Sequence, residues 1–167
     1  MKIIIHTKKY GTKEVLIDDE DYDLVKDYKW HIVWEKNNFY ARCFVPEYGK
    51  YRSPRMHRVI MGVDGIDKPH IDHINHNGLD NRRINLRFAT IGQNNKNRKL
   101  SKVNTTGYRG VSIFKKKDGG ILYKAAIFKD GKTYHGGYFK LAEDAAAKYN
   151  ELALKFNGEF AGLNTLQ

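Results

Sequence analysis

The segment from His70 to Arg87, HIDHINHNGLDNRRINLR, limits the possible fold more than any other part of this chain. Histidines stand three apart at His70, His73 and His76, and asparagines follow at Asn75, Asn77, Asn81 and Asn85. An amide or imidazole carried into an apolar core without a partner costs roughly 1–3 kcal/mol. A plain core strand therefore cannot hold this segment. It must be an exposed surface, a loop bonded to itself, or a site. The spacing of the histidines argues against a zinc set. In an extended chain, residues three apart alternate faces, and common zinc signatures use other spacings.

Charge is unevenly distributed. The chain of 167 residues carries 30 Lys and Arg against 19 Asp and Glu, a net +11. Val59–Asn81 holds one basic residue against four acids, whereas Arg82–Thr106 holds seven basic residues and no acid. An acidic loop abutting a basic track suits a divalent cation beside a chain of phosphates. Cys43 is the single cysteine, which excludes an internal disulfide and a cysteine-based zinc site. No signal-like run opens the chain, and no apolar stretch approaches the ~20 residues that span a bilayer. The expectation is a soluble cytoplasmic protein with no membrane partner.

Before the polar segment, KIIIHT and KEVLID read as a hairpin through Lys9-Tyr10-Gly11, and Asp18–Tyr28 as a helical stretch with acids in its first turn. WHIVW and FYARCFV flank Asn37-Asn38 as a second hairpin, and RMHRVIMG reads as a short helix ended by Gly62. His57 in this helix is expected to pack or support the backbone. After the polar segment, Thr90 and Gln93 have capping-box spacing, which puts Asn94 and Arg98 four apart on one face of a basic helix. Residues 101–106 are polar and read as a linker. Beyond it, YRGVSIF, LYKAAIFK and KTYHGGYF form three strands turning at Asp118-Gly119-Gly120 and Asp130-Gly131. A helix follows from about Leu141 to Asn157, with Ala145, Ala146, Tyr149, Leu152, Ala153 and Phe156 on one face and Gly158 as its stop. One helix covers one face of such a sheet and leaves the other open.

Within the polar segment the pair Asp72-His73 carries the chemistry. A carboxylate oxygen can hold a hard cation while a neutral imidazole takes a proton from water. Phosphodiester hydrolysis uses both. A second oxygen ligand can come from Asn94 on the following helix, and Asn81 can fasten the loop through amide hydrogen bonds. The alternative is a polar turn and a capped helix that hold no metal.

MHRVIMG, HIDHINHNGLDNRRINLRFATIGQNN and the residues between them (about 55–98) resemble the HNH endonucleases of the phage and intron-encoded homing type. The resemblance implies an α+β fold with a ββα-metal (His-Me finger) nuclease body over residues 1–100. It implies Asp72 and Asn94 as ligands of one divalent ion, Mg2+ or Mn2+, with Asn95 as the fallback ligand. By the same resemblance His73 is the general base and Asn81 the asparagine that fixes loop and histidine. Arg82, Arg83, Arg87, Lys96, Arg98 and Lys99 then grip the DNA backbone beside the cut.

From about Thr106 to Asn164 the chain resembles the Apetala-two, or ethylene-response-factor, DNA-binding domain in its YRGV start, GYF strand end and alanine-rich helix before LN, which implies such a domain over residues 107–167. That implies a three-stranded antiparallel sheet packed on one α-helix, its sheet lying in the major groove. Arg109 falls on a base-contacting arginine of that family. Ser112, Phe114, Ala126, Phe128, Thr133 and His135 stand where the plant proteins place Arg, Trp or Glu readers, so the plant target is not inherited. Lys115, Lys116, Lys117, Lys124 and Lys132 are read as phosphate contacts.

Together these imply a monomeric, metal-dependent, site-specific endonuclease acting on double-stranded DNA without a small-molecule cofactor. The alternative is a DNA-binding regulator that no longer cuts, and the presence of Asp72, His73, Asn81 and Asn94 argues against it.

Overall fold

The computed structural model describes residues 1–44, 53–63, 69–97, 100 and 103–166. The chain is a mixed α/β protein built from small antiparallel sheets and divides into two compact units, Met1–Asn94 and Asn95–Gln167.

The first unit is a series of hairpins around one apolar core. Strands β1 (Lys2–Thr7) and β2 (Gly11–Leu16) pair antiparallel, with Ile5 and Val15 pointing inward. A single 3-10 turn at Asp19–Asp21 leads into α1 (Tyr22–Val25). This helix is much shorter than the Asp18–Tyr28 stretch expected. Of its four residues Val25 alone reaches the core, while Tyr22 and Leu24 stay exposed, so packing does not extend it, and short helices are marginal without packing. Strands β3 (Trp30–Glu35) and β4 (Asn38–Cys43) turn at Lys36-Asn37, both with positive φ. That is the pattern of a two-residue hairpin whose twist matches its strands. The turn thus lies one residue before the expected Asn37-Asn38, and Asn38 belongs to the strand.

Helix α2 (Met56–Ile60) buries Met56, His57 and Ile60 and ends before Gly62 at φ +63. Strand β5 (His70–His73) pairs antiparallel with β6 (Leu86–Ala89), and α3 (Ile91–Lys96) follows at once. The capping box at its start is present. The Thr90 amide donates to Gln93 Oε1 at 2.7 Å, and the Gln93 amide donates to Thr90 Oγ1 at 3.2 Å.

The second unit begins inside α3, earlier than the linker expected at 101–106. Its Lys96 carbonyl lies where a Cβ on Gly162 would come within 2.6 Å, so the end of α3 packs on the C-terminal segment. Strands β7 (Val111–Lys115), β8 (Ile121–Lys129) and β9 (Lys132–Phe139) form one antiparallel sheet in that order, and α4 (Ala142–Asn157) packs on it. Ala145, Ala146, Tyr149 and Ala153 are the buried face of α4. Small residues let helix and sheet approach closely. A Cβ at Gly136 would sit 3.0–3.1 Å from Lys148, Ala125 and Leu152. Gly136 is also the extra residue of a bulge between the pairs Ala125–Gly137 and Ala126–His135. Asn164 ties the tail down. It accepts from the Arg109 amide at 2.7 Å and donates to the Arg109 carbonyl at 3.0 Å, and it exchanges two further hydrogen bonds with Asn150.

Candidate active site

The loop that joins β5 to β6 is held by its own asparagines. The Asn75 amide donates to Asn85 Oδ1, the Asn77 amide to Asn75 Oδ1 and the Leu79 amide to Asn77 Oδ1, all at 2.9–3.1 Å. These side-chain turns replace the ladder that a strand would have provided. Asp80, 2% exposed, closes the network. It accepts from Asn75 Nδ2 at 2.8 Å and takes Arg82 in a bidentate pair at 2.8 and 2.7 Å, and its carbonyl accepts from Asn85 Nδ2 at 2.7 Å. The Arg82 hydrogen bonds, opposed by burial and aided by Asn75, hold the Asp80 carboxyl below the usual carboxylate range. Backbone bonds from Leu16 to Leu79 and from Asn81 to Leu16, each 2.8 Å, sew the loop to β2.

This scaffold fixes Asn81, which is 1% exposed. Its Nδ2 donates to Met56 Sδ at 3.7 Å, which turns Oδ1 towards His73, and His73 Nε2 donates to that oxygen at 3.3 Å. A neutral imidazole with Nε2 protonated carries its lone pair on Nδ1. Burial, opposed by Asn81 and the Asp72 charge, pushes the His73 pKa down, so the ring is neutral at pH 7. Behind it stands His57, 5% exposed, its ring 4.8 Å from His73 and nearly perpendicular to it. Tyr40 touches both rings at 5.9 Å, and the Arg55 guanidinium lies 4.9 Å over Tyr40. Arg55 is held in turn by Glu35, which also takes Arg42 at 2.7 Å.

Asp72 occupies different surroundings. Alternation along β5 turns Asp72 and His73 to opposite sides of the ribbon. Arg87, directly opposite Asp72 in register, donates to its Oδ2 through Nε at 3.1 Å and Nη2 at 2.8 Å. The two side chains are 6% and 11% exposed. The donor set expected for the ion, the Asp72 carboxylate and the Asn94 amide oxygen, is all hard oxygen, which fits Mg2+ or Mn2+ and not a soft metal. No group of three or more His, Cys, Asp or Glu side chains is placed to hold a metal among the described residues. His70 is exposed, His73 buried, and His76 adopts φ +62 in the loop.

The arginines expected on the DNA backbone have carboxylate partners that sequence spacing did not reveal. Arg82 holds Asp80 and Arg87 holds Asp72, while Arg83 holds Asp21 at 2.6 and 3.0 Å and its amide donates to Asp18. Asp18 and Asp21, read as helix-start acids, are thus receptors for an arginine more than sixty residues away. Arg98 and Lys99 lie outside the described residues. Lys96 is half-buried beside Lys129, whose ammonium pushes the Lys96 pKa down. Arg109 does not stand in the sheet. It precedes β7, and its guanidinium packs where a Cβ on Gly162 would come within 3.0 Å. It lines a cleft of about 230 Å3 with Lys96, Gly110, Ile127 and Tyr149. Lys124 lies on the sheet face away from α4, whereas Lys115 has the parity of buried Val111, and Lys116 starts the turn.

With this geometry in place the relatives become informative. Over 142 residues the chain is 32% identical to an uncharacterized HNH endonuclease of Acanthamoeba polyphaga mimivirus, covering 83% of this chain and 72% of that one. The chain belongs to the HNH endonuclease family. It is also 30% identical over 114 residues to Protein 3.8 of Escherichia phage T7, covering 66% of this chain and 91% of that protein. No family model matches the HNH chain, and no solved structure does. Among the described residues, no helix is long and apolar enough to cross a membrane.

The HNH chain contains site neighbours that sequence spacing did not suggest: Tyr40, Arg55 and Met56 around the histidine, and Leu16 under the loop. Only His57 was readable beforehand, as a packing residue. Its burial has a consequence for stability. Burial first, and then the neighbouring His73, Arg55 and Arg58, push its pKa well below the ordinary value of 6.5. A histidine with a depressed folded pKa contributes stability that is fully present above the unfolded pKa. That stability is lost as pH falls below about 6.5. His57→Phe should remove roughly 1 kcal/mol per pH unit from the slope of urea-unfolding free energy between pH 6.5 and 5.5. An unchanged slope would place the titration elsewhere.

Proposed function

We propose that this HNH nuclease is a site-specific DNA endonuclease of the homing type that hydrolyses one phosphodiester through His73 as general base. The observation that carries this reading is the buried pair of His73 and Asn81. An amide locked by Met56 selects the imidazole tautomer, and burial keeps the ring neutral and able to accept a proton at Nδ1. His73 takes a proton from a water whose oxygen forms a bond to phosphorus. The bond from phosphorus to the 3′ oxygen breaks, leaving 5′-phosphate and 3′-hydroxyl ends, and the leaving oxygen is protonated from solvent. Asp72 and Asn94 would hold the divalent ion, which when bound neutralises charge on the phosphate and leaving oxygen. In this reading β5, β6 and α3 serve as the ββα-metal element of the nuclease.

In this reading the second unit, the Apetala-two-like module, holds the enzyme on double-stranded DNA. The sheet on one helix and the open opposite face support it, as does the sequence of residues 95–167, with fourteen basic residues against six acids. Arg82, Arg83, Lys96, Lys116 and Lys124 are proposed to meet phosphates, and Arg87 is reassigned to Asp72. Incubating phage or host genomic DNA with the protein and Mg2+, then sequencing the new ends, tests the reading. New 5′-phosphate ends at few loci, absent with EDTA and strongly reduced in Asp72→Ala and Asn94→Ala, are expected. Bound but uncut DNA under all these conditions would favour the non-cleaving regulator.

A further inference from the structure

The sheet of the second unit presents one face to α4 and leaves the other uncovered by it. Pairing register assigns the sides. Val111, Ala125 and Phe139 pack against the helix with Ala145 and Ala146, and Tyr134 touches Phe156 of α4 at 4.4 Å. The opposite parity carries Ser112 and Phe114 of β7, Leu122, Lys124, Ala126 and Phe128 of β8, and Thr133, His135 and Tyr138 of β9. All six residues that stand at plant reader positions fall on this face. Its chemistry differs from that of a base-edge reader. Of the side chains that read duplex base edges, Arg, Asn, Gln, Asp and Glu are absent from this face, and Lys124, Ser112 and Thr133 are the ones it keeps.

What the face offers instead is aromatic surface. Phe114 is 42%, Tyr138 51% and Phe128 71% exposed. The Phe114 and Tyr138 rings come together across β8, centroids 4.8 Å apart. Lys124, opposite Tyr138 in register, stands beside them. Phe128 lies four residues further along β8, roughly 13 Å away at strand rise, with His135 on the neighbouring strand. Of the six lysines in Val111–Phe139, Lys124 stands on this face and Lys116 and Lys117 lie in the turn between β7 and β8, while Lys115, Lys129 and Lys132 have the parity of the other face. Val111–Phe139 carries only two aspartates against them, whereas α4 carries three acids against two lysines. Exposed rings on an open sheet amid lysines are complementary to unpaired bases on a phosphate chain. Stacking needs only a base face, and the lysines follow the backbone.

We propose that the open face of this sheet is a stacking platform for unpaired nucleotides of single-stranded DNA, with Phe114–Tyr138 as one station and Phe128 as another. This rests on the second unit being the DNA-holding module and changes how that module holds DNA. Duplex is met by the lysines around the sheet, and bases are met where the strand is unpaired.

Fluorescence anisotropy of the full chain in EDTA, with a short labelled oligothymidylate and a labelled duplex, tests it. Phe114→Leu with Tyr138→Leu, and separately Phe128→Leu, keep apolar bulk and remove the rings. Each should weaken single-strand binding roughly five- to one-hundred-fold and leave duplex binding within about twofold. The wild-type protein alone gives a second readout, since an abasic oligonucleotide of equal length should bind weaker by a similar factor. Equal affinity for abasic and normal strands, unchanged single-strand binding in the variants, or an equal loss of duplex binding would each overturn the proposal. Cleavage of plasmid in Mg2+ is scored separately. Its absence would refute the nuclease reading without altering these affinities, and intact cleavage would not rescue a failed platform.

Discussion

His73→Ala is expected to lower the rate of DNA cleavage in Mg2+ by roughly two to four orders of magnitude, the usual contribution of a positioned general base. Affinity for the same DNA should remain within about threefold. The argument is geometric before it is electrostatic. The imidazole is held at Nε2 by an amide that is itself held by Met56 and by the β2 backbone. Nothing in that arrangement contributes to holding a phosphate chain. Rate and affinity should therefore separate, and a loss of both in parallel would mean that the histidine supports the fold or the DNA surface. Undiminished cutting would remove His73 from the mechanism.

Arg87→Met should destabilise the first unit by about 3 kcal/mol in urea unfolding at neutral pH with EDTA present. A buried ion pair adds little net stability as a pair, but losing one member leaves the other charge in a low-dielectric site. Arg87 and Asp72 are directly opposite across β5 and β6 and almost wholly enclosed. Adding Asp72→Asn to the variant removes the remaining charge and should restore a large part of the loss. The double-variant cycle would then show a coupling well above the ~0.5 kcal/mol seen for independent sites. Additive effects would mean that the two do not function as a pair. The same contact explains why an arginine assigned to DNA by its place in a basic track belongs to the interior. In a two-stranded ribbon, the residue opposite a carboxylate is chosen by register, and register is invisible until both strand ends are known.

Much of the local structure was legible because its causes are local. The Thr90–Gln93 box, the stop of α2 at Gly62, the three C-terminal strands and the buried alanines of α4 each follow from residues within a few positions of one another. Local signals misled where they were weak or where tertiary contacts overruled them. Acids in the first turn suggested a short helix from Asp18 to Tyr28, yet of the four residues of α1 only Val25 found a core position, and Asp18 and Asp21 instead receive Arg83. The asparagines could be recognised as loop fasteners, but the backbone anchor of Asn81 on β2 could not, since Leu16 lies sixty-five residues earlier.

By itself the sequence determined the chemistry available: an Asp-His pair, amides to fix it, oxygen donors for a hard cation, and basic residues concentrated after the loop. Residue type and short-range spacing suffice for that, because ligand hardness, proton affinity and helix caps are properties of side chains and their near neighbours. Only the tertiary structure decided which nitrogen of His73 carries the proton, that Asp72 faces Arg87, and that Arg109 packs beside Gly162. Those outcomes depend on register and burial. Both are set by contacts between residues far apart in the chain, and there the desolvation of a charge forces it to find a partner.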